Sequence, residues 1–531
     1  MIARRLWVPS LPDVFFAVLL ISVFAQPAGM RALLADGDTG WHIRTGELVL
    51  ASGRAPQVDD FSFTRPGAPW FAWEWLADVA LARMYGWRGM AGVAILAGSI
   101  LALAATALLL RVLRRGCGLW IGLAATLAAA SASSVHYLAR PHVFTILFFA
   151  VALWLVEEDR NSAGGRPWRL EEDRKSAGSR PWRLEEDRQS VGGRPWLSEE
   201  DRRNAGSRLW LLVPLTALWA NLHAGFVAWL ATLGLLTLVC ASQRDWARVR
   251  RYGALTGMCA AATLLNPYGW RLHQHVAGYL NSRWILDNVQ EFQSPNIRSE
   301  GMVVFAVLLL AAVAVTARGD RFEAALVLVW GFASLRSARH VPLFAIAAAP
   351  VVASSAAALW ERIAAQARPR DAVRILWEMG RDLARAPRAS LWVPVSAAAV
   401  MLAAPTASFP DVRFPVDAVE RNAECLAPKS AMPRILTSDQ WADYLIFRLY
   451  PRQRVFFDGR SDFFGPALGA DYRKLMTGER PWRELLDRYG FQLALLPHDW
   501  PLSTALEREP GWRRVYEDRV AVLFARGEGT P

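Results

Sequence analysis

Residues 89–110 read GMAGVAILAGSILALAATALLL, and this stretch decides the class of fold. It contains no charged side chain, and it is as long as a helix that crosses the hydrocarbon core of a bilayer, which takes about 20 apolar residues. The connection that follows, 111–116, holds three Arg, as short loops at the ends of membrane-spanning helices do. The stretch therefore predicts a transmembrane helix.

The same kind of stretch recurs along the whole chain of 531 residues. Hydrophobic residues make up 53% of the chain and charged residues 20%, and the mean hydropathy is +0.17. This composition excludes a soluble enzyme and any disordered or fibrous class. We predict an α-helical polytopic membrane protein with about eleven transmembrane helices and a C-terminal soluble α/β domain. The candidate spans are 11–30, 89–110, 117–135, 141–156, 209–221, 223–241, 252–266, 301–317, 322–336, 341–360 and 389–405.

The net charge of +12 indicates how these helices are oriented, and it does not indicate a nucleic-acid partner. The predicted inner connections 111–116, 243–251 and 318–321 hold nine Arg against two acids, and 361–388 holds seven Arg against four acids. The predicted outer loop, 31–88, is nearly balanced, with six Arg and seven acids. The bias predicts a cytoplasmic N-terminus and a C-terminal domain on the outer side.

Cysteine and histidine usage indicates where chemistry is expected. The four Cys exclude a disulfide framework. Histidine is costly inside a bilayer and useful at a polar site, so its confinement to one side favours that side as the working face, with chance as the alternative. All eight His fall on the predicted outer side or at its boundary: His42, His136, His142, His223, His273, His275, His340 and His498.

The sequence divides into six segments of different character. We expect the first span to be a retained anchor, with a cleaved signal peptide as the alternative. One segment repeats Glu-Glu-Asp-Arg with a period of 14 residues and has no apolar face, which predicts a disordered cytoplasmic insertion, with a partner-docking linker as the alternative. The segments are the anchor 1–30, the outer loop 31–88 with an interfacial helix over 70–87, the spans 89–156, the repeats 157–208, the spans 209–405 and the outer domain 410–531.

The first outer loop gathers acids and a histidine at the predicted membrane surface. Asp36, Asp38 and His42 are close in sequence, and Glu74 lies on the aromatic interfacial helix. A helix over 39–50 would place Asp38 near its N-cap, which is the commoner role of such a residue. The other interpretation is chemical, because a carboxylate at the membrane surface can act as a general base toward an acceptor hydroxyl or bind a divalent cation.

The C-terminal segment alternates predicted strands and helices, which indicates a small α/β domain. Asp458, Arg460 and Asp462 follow a predicted strand directly, where α/β folds place ligand sites. A tight turn that needs Asp-Gly is the alternative interpretation. The expected strands are 434–437, 454–457, 493–496, 512–517 and 520–525, and the expected helices are 440–450, 471–489 and 502–508.

An inward N-terminus, a large outer loop that opens on an acid, and an aromatic interfacial helix resemble the GT-C superfamily of integral-membrane glycosyltransferases. The resemblance is stronger to a set of largely uncharacterised bacterial membrane proteins, and it covers nearly the whole chain except the repeats. The motifs that carry it lie at 40–47, 221–225, 266–269, 284–292, 336–340 and 457–462.

The resemblance implies roles for the residues of the first loop. GT-C enzymes take sugars from polyprenyl-phosphate carriers, and their first-loop Asp is a catalytic base or a metal-side carboxylate. That role carries over to Asp38, with Asp36, His42 and Glu74 beside it in the catalytic site. A divalent cation, Mg²⁺ or Mn²⁺, is the implied cofactor, and its ligands stay unassigned because Thr39 stands where the family has a second acid.

A polyprenyl phosphate at the outer surface needs a cationic clamp at the ends of the spans, and Arg suits bidentate phosphate binding. For each residue alone, contact with lipid headgroups is the alternative. The residues predicted to bind the lipid phosphate are Arg140, His142, Arg271, His273, Arg336, Arg339 and His340, with His275 beside them. The residues predicted to face the acceptor are Asp458, Arg460 and Asp462.

The leading prediction is a glycosyltransferase of the bacterial inner membrane. It would move a sugar from a polyprenyl-phosphate carrier to a glycan, lipid or protein acceptor at the outer face. The rival is a non-catalytic membrane protein, a transporter or envelope-assembly subunit with a GT-C-like fold. Acids in the middle of spans would favour a transporter, and the predicted spans hold essentially none.

Overall fold

The computed structural model describes residues 7–25, 27–162, 206–317, 320–384 and 390–527, and this part of the chain is mostly helical. Short 3₁₀ helices at Ser134–His136, Leu209–Leu211, Gln290–Phe292 and Ala338–His340 lie between longer helices. The α-helices before the C-terminal domain are α1 Leu11–Ala25, α2 Pro27–Leu33, α3 Asp38–Ser52, α4 Trp75–Arg114, α5 Leu119–Ser133, α6 His142–Ser162, α7 Leu212–Leu222, α8 Phe226–Ser242, α9 Trp246–Ala262, α10 Trp270–Asn281, α11 Arg283–Asn288, α12 Glu300–Thr316, α13 Arg321–Arg336, α14 Val341–Gln366, α15 Ala372–Leu383 and α16 Trp392–Ala403.

Each of the eleven predicted spans overlaps one of these helices. Among the described residues, three helices are long and apolar enough to cross a membrane: Trp75–Arg114, Leu119–His136 and Ala338–Gln366. Four shorter helices of the same part of the chain are also apolar: Leu11–Ala25, Phe226–Ser242, Gly301–Thr316 and Trp392–Ala403. The chain is therefore a membrane protein, and the number of its crossings stays a prediction.

The longest helix, α4, bends where its polar part meets its apolar part. Arg88 and Gly89 leave the helical conformation, and Gly89 has a φ of +60°, a region that glycine adopts without a steric penalty. The residues before the bend carry the aromatic, amphipathic pattern, and those after it form the apolar stretch 89–110. The bend lets the first part of α4 pack along α3 while the second part runs between other apolar helices.

The first copy of the repeat differs from its prediction. Residues 157–162 continue α6 as helix, whereas disorder was predicted from 157 onward. The acids there are neutralised by neighbouring helices: Glu157 pairs with Arg111 at 2.6 Å, and Asp159 accepts a hydrogen bond from Tyr252 at 2.8 Å. These partners remove the charge repulsion that would otherwise oppose a helix. The copies at 171, 185 and 199 lie outside the described residues.

The C-terminal domain has a four-stranded sheet in the order β1-β2-β4-β3. β1 and β2 are parallel, with Leu436 opposite Ala494, and the other pairs are antiparallel, with Leu495 opposite Leu523. The helices of the domain are α17 Val416–Arg421, α18 Ala423–Leu426, α19 Asp439–Leu449, α20 Ser461–Thr477, α21 Trp482–Tyr489 and α22 Pro501–Leu506. The strands are β1 Ile435–Leu436, β2 Leu493–Pro497, β3 Trp512–Glu517 and β4 Ala521–Arg526.

Two predictions for this domain are wrong. The segment 454–457 does not join the sheet, because Val455 exchanges backbone hydrogen bonds with the first outer loop: its N–H donates to Phe61 O at 2.9 Å and its carbonyl accepts from Phe63 N at 3.0 Å. The single helix predicted over 471–489 is two helices, α20 and α21, because Pro481 lacks the N–H that a continuous helix would need.

The first outer loop and the C-terminal domain pack against each other closely. Helix α3 lies against α19, and a Cβ on Gly40 would stand 2.6 Å from the backbone oxygen of Asp443. Thr64 donates from its hydroxyl to Phe456 O at 2.8 Å. The two segments are separated by several hundred residues in sequence and form one surface, on which the candidate site lies.

Candidate active site

Arg140 is the centre of the candidate site. It lies in the turn before α6, and its guanidinium pairs with Asp36 Oδ2 at 3.1 Å and with Asp38 Oδ2 at 2.6 Å. Glu291 lies 4.0 Å away on the 3₁₀ helix that follows α11. Asp36 accepts a hydrogen bond from the N–H of Asp38 at 2.9 Å, so Asp36 satisfies the start of α3 and the Asp38 side chain is left for other contacts.

Backbone contacts hold the Arg140 turn against the first loop. Ala139 N–H donates to Leu33 O at 2.8 Å, and the Thr39 hydroxyl donates to Ala139 O at 3.1 Å. Thr39 stands where the GT-C pattern has a second acid, and here its neutral hydroxyl makes a contact with the backbone. Its contact fixes the residue next to Arg140, which aligns the guanidinium with Asp38.

Burial and nearby charges set the protonation of the two acids on either side of Arg140. Burial raises the pKa of Asp38 to about 7, although the neighbouring Arg140 guanidinium opposes the rise. Burial acts in the same direction on Glu291, but Arg339 and Arg140 outweigh it and hold its pKa below the usual range. A carboxyl group that titrates near neutral pH is suited to act as a general base.

Glu74 lies between two histidines beside this cluster. His42 Nε2 is 3.8 Å from Glu74 Oε2, and His223 Nε2 is 3.5 Å from Glu74 Oε1. His42 Nδ1 contacts Asp78 Oδ1 at 2.6 Å, which fixes the orientation of the ring. Burial raises the pKa of Glu74 to about 8 and lowers the pKa of His42 well below its usual range. Glu74 is therefore protonated at neutral pH and can donate a proton.

Arg339 supplies a second cation on the same side of the site. Its guanidinium stacks on Phe292, with Cζ 4.3 Å from the ring centroid, and its charge lowers the pKa of Glu291. Nη1 of Arg339 is buried, and no acceptor among the described residues reaches it. A buried cationic N–H without a partner is costly, so the position favours an anionic ligand.

Other residues predicted to bind the lipid phosphate lie apart from this cluster. Arg271 and Arg336 are exposed, and no ion pair or hydrogen bond among the described residues joins them to Arg140. His273 contacts the Thr263 hydroxyl at 2.8 Å and stacks on Trp270. Two histidines have other neighbours: His142 contacts His136 O at 2.5 Å, and His340 Nδ1 lies 3.3 Å from Ala333 O.

The three residues predicted to face the acceptor divide into two groups. Asp458 and Arg460 are buried, and Arg460 Nη2 bridges Asp458 Oδ2 and Asp59 Oδ1, each at 2.7 Å. This contact joins the C-terminal domain to the first outer loop. Asp462 is not part of this bridge: its carboxylate pairs with His275 at 3.0 Å, and its charge acts on Glu74.

Sequence reasoning missed three acids of the site: Asp78, Glu291 and Asp443. Asp443 lies on α19 between apolar residues, so an acid on the buried face of an amphipathic helix could have been noticed. Glu291 lies within the motif 284–292, and Asp78 lies one helical turn after Glu74. None of the three could be matched to its partner, because each partner lies on a distant segment.

The divalent cation that the resemblance implies stays a prediction. A divalent cation needs several oxygen ligands around one point. In the described part of the chain, no group of three or more His, Cys, Asp or Glu side chains is arranged to hold a metal ion. Arg140 already occupies Asp38 Oδ2.

Comparison with known proteins supports the fold. No family model and no curated protein matches the sequence. The oligosaccharyltransferase AglB from Archaeoglobus fulgidus, solved with an inhibitory peptide and a dolichol-phosphate, aligns over 97% of this chain and 74% of its own, with a TM-score of 0.57 and 12% identity. ArnT from Cupriavidus metallidurans, solved with undecaprenyl phosphate, aligns over 96% and 97%, with a TM-score of 0.45 and 14% identity. The predicted resemblance to GT-C proteins is confirmed at the level of the fold.

Proposed function

We propose that this membrane protein with a GT-C fold transfers a sugar from a polyprenyl-phosphate carrier to an acceptor hydroxyl at the outer face of the bacterial inner membrane. The observation that carries the proposal is the pairing of Asp38 with Arg140 beside a second arginine, Arg339, whose buried N–H has no acceptor. A base and two cations are what the transfer of a sugar from a phosphate requires. The fold shared with AglB supports the same class of reaction.

The charges of the site suit each part of the reaction. Asp38 accepts the proton of the acceptor hydroxyl while the hydroxyl oxygen forms a bond to the anomeric carbon of the sugar. The bond from that carbon to the phosphate oxygen breaks, and its electron pair leaves with the polyprenyl phosphate. Arg140 and Arg339 stabilise the charge on the phosphate. Glu74, protonated at neutral pH, donates a hydrogen bond or its proton to the departing phosphate.

The remaining predicted residues support these groups. Asp36 pairs with Arg140 and holds the guanidinium toward Asp38, and His42 lies against Glu74 and fixes its position. Asp462 of the C-terminal domain pairs with His275 of α10, and this domain is proposed to receive the acceptor. The identity of the acceptor, whether a glycan, a lipid or a protein, is a question for the cellular assay.

The proposal is tested by the lipid-linked-sugar and glycan profile of cells that lack the gene and are complemented at equal expression. We expect wild type to restore the profile and Asp38→Asn to lower transfer by about 10²–10⁴-fold, the usual contribution of a general base. Asp417→Asn, at an exposed position of α17, is the control that should restore the profile fully.

Two other outcomes would contradict the proposal. Restoration by Asp38→Asn as complete as by wild type would remove Asp38 from the reaction. An unchanged profile in cells without the gene would favour the non-catalytic alternative, a transporter or envelope-assembly subunit with this fold.

A further inference from the structure

Two buried carboxylate oxygens from distant parts of the chain meet at Gly459. Asp38 Oδ1 and Asp443 Oδ2 are both buried, and no N–H or other donor group of the described residues reaches either atom. A Cβ on Gly459 would stand 2.0 Å from Asp38 Oδ1 and 2.8 Å from Asp443 Oδ2, so the two oxygens flank the same point. Two ionised carboxylates that flank the same point in a buried site would repel each other strongly.

The other oxygens of the pair already have partners. Asp38 Oδ2 accepts from Arg140 at 2.6 Å, and Asp443 Oδ1 accepts from the Gly459 N–H at 3.0 Å. One proton placed between the two remaining oxygens would satisfy both of them at once. The charges around the pair favour that proton on Asp443, because Asp38 has a cation beside it and Asp443 has acids. The titratable and charged groups that face the pair are Asp36, Arg140 and Glu291 around Asp38, and Asp458 and Tyr472 around Asp443.

We propose that Asp443 stays protonated and donates a hydrogen bond from Oδ2 to Asp38 Oδ1, so that the C-terminal domain positions the Asp38 carboxylate. Burial, followed by the charges of Asp38 and Asp458, raises the pKa of Asp443 well above its usual range, in agreement with this arrangement. Asp443 is a positioning residue, because it acts on the reacting groups only through Asp38. Where it concerns the reaction, this inference rests on the proposed function.

The arrangement makes the stability of the protein depend on pH with a definite sign. The folded protein holds the proton of Asp443 at pH values where the unfolded chain has lost it. Stability therefore falls as the pH rises toward the raised pKa of the pair, because the folded state then has to release the proton or bear two buried charges. Asn at position 443 would donate an N–H to Asp38 Oδ1 at every pH and would remove the part of this dependence that comes from Asp443, while the part that comes from Glu74 would remain.

The test measures the apparent melting temperature of the full-length purified protein in detergent from about pH 6 to about pH 9. We expect the wild-type melting temperature to fall by several degrees over this range, that of Asp443→Asn to fall by less, and that of Asp443→Ala to be lower than both at acidic pH. Asp417→Asn, at an exposed position, is the matched control and should follow wild type.

Three results would overturn the inference. The first is a fall of the melting temperature with pH in Asp443→Asn that equals the fall in wild type. The second is an Asp443→Asn variant that is as unstable as Asp443→Ala at acidic pH. The third is a rise in the melting temperature of wild type, but not of Asp443→Asn, when Mg²⁺ or Mn²⁺ is added at alkaline pH. That result would mean that the two carboxylates bind a cation.

The stability test separates this inference from the proposed function. Should the protein have no transferase activity, the melting curves still decide whether Asp38 and Asp443 share a proton. Where activity is found, the pH profile gives a second readout: Asp443→Asn should retain transfer at alkaline pH, at which wild type loses it.

Discussion

At the scale of single residues, the site depends on the absence of a side chain at one position. The backbone of Gly459 passes between Asp38 and Asp443, and its N–H donates to Asp443 Oδ1 at 3.0 Å. A Cβ at this position would come within 2.0 Å of Asp38 Oδ1, a distance that Cβ contacts do not reach without a shift of the backbone. The glycine is required by this close approach, because the surrounding packing leaves no room for a methyl group.

Replacing Gly459 with Ala should therefore destabilise the protein by about 1–3 kcal/mol, the usual cost of overpacking a buried site. The measurement is the apparent melting temperature of the purified protein. Gly278→Ala is the control, because a Cβ at this position of α10 would meet open space. Replacing a glycine inside a helix with Ala stabilises the helix by up to about 1 kcal/mol. Equal melting temperatures for Gly459→Ala and wild type would show that the carboxylates do not lie as close as described.

At the scale of elements, the ends of several helices are joined by ion pairs on the side opposite the site. Glu157, near the end of α6, pairs with Arg111 on α4 at 2.6 Å and with Arg115, the residue that follows α4, at 2.5 Å. Arg115 also pairs with Glu323 on α13 at 2.8 Å. Arg111 donates to Ile346 O on α14 at 3.1 Å. Glu157 and the two arginines together thus connect α6 and α4 with α13 and α14.

Glu157→Gln should destabilise the protein by about 3–5 kcal/mol, because it leaves two largely buried guanidinium groups without their shared anion. Glu378→Gln is the matched control: Glu378 pairs with Arg374 on the surface of α15, is 57% exposed, and should cost at most about 1 kcal/mol. Thermal unfolding of both variants in the same detergent checks the expectation. Similar melting temperatures for the two variants would mean that the network at α6 is no stronger than a surface pair.

At the scale of the whole molecule, the C-terminal domain is held to the first outer loop by a buried cation. Arg460 bridges Asp59 of the loop and Asp458 of the domain, and its guanidinium stacks on Trp70 with Cζ 4.6 Å from the ring centroid. Asp59 also accepts from the Ser62 hydroxyl at 2.6 Å. The domain and the loop therefore share one polar core, and the position of Asp443 opposite Asp38 depends on it.

Arg460→Gln should loosen the domain from the loop, because two buried carboxylates lose their counter-charge. We expect faster cleavage by a protease in the connection 404–415, measured by the appearance of a released C-terminal fragment from the purified protein. Arg448→Gln is the control, since its pair with Glu420 is exposed and its loss should leave the cleavage rate near that of wild type. An unchanged rate for Arg460→Gln would show that other contacts hold the domain.

Much of the architecture follows from local patterns. Apolar stretches such as 89–110 are long enough to demand helices by themselves, and the strand pattern of 493–496 and 520–525 is visible without knowledge of neighbours. The segment 454–457 has an equally good strand pattern, but its partner is Phe61 and Phe63 of the outer loop and not the sheet. Periodicity cannot choose between two possible partners of a strand.

The sequence by itself determined that this chain is a helical membrane protein with an acidic first loop and an α/β domain at its end, because hydropathy and periodicity depend on neighbours along the chain. Only the tertiary structure decided that Asp38 meets Arg140 and lies opposite Asp443, and that Arg460 binds Asp59. These contacts join segments that are hundreds of residues apart. Their strength comes from burial and from the exclusion of water, which exist only after the segments have packed.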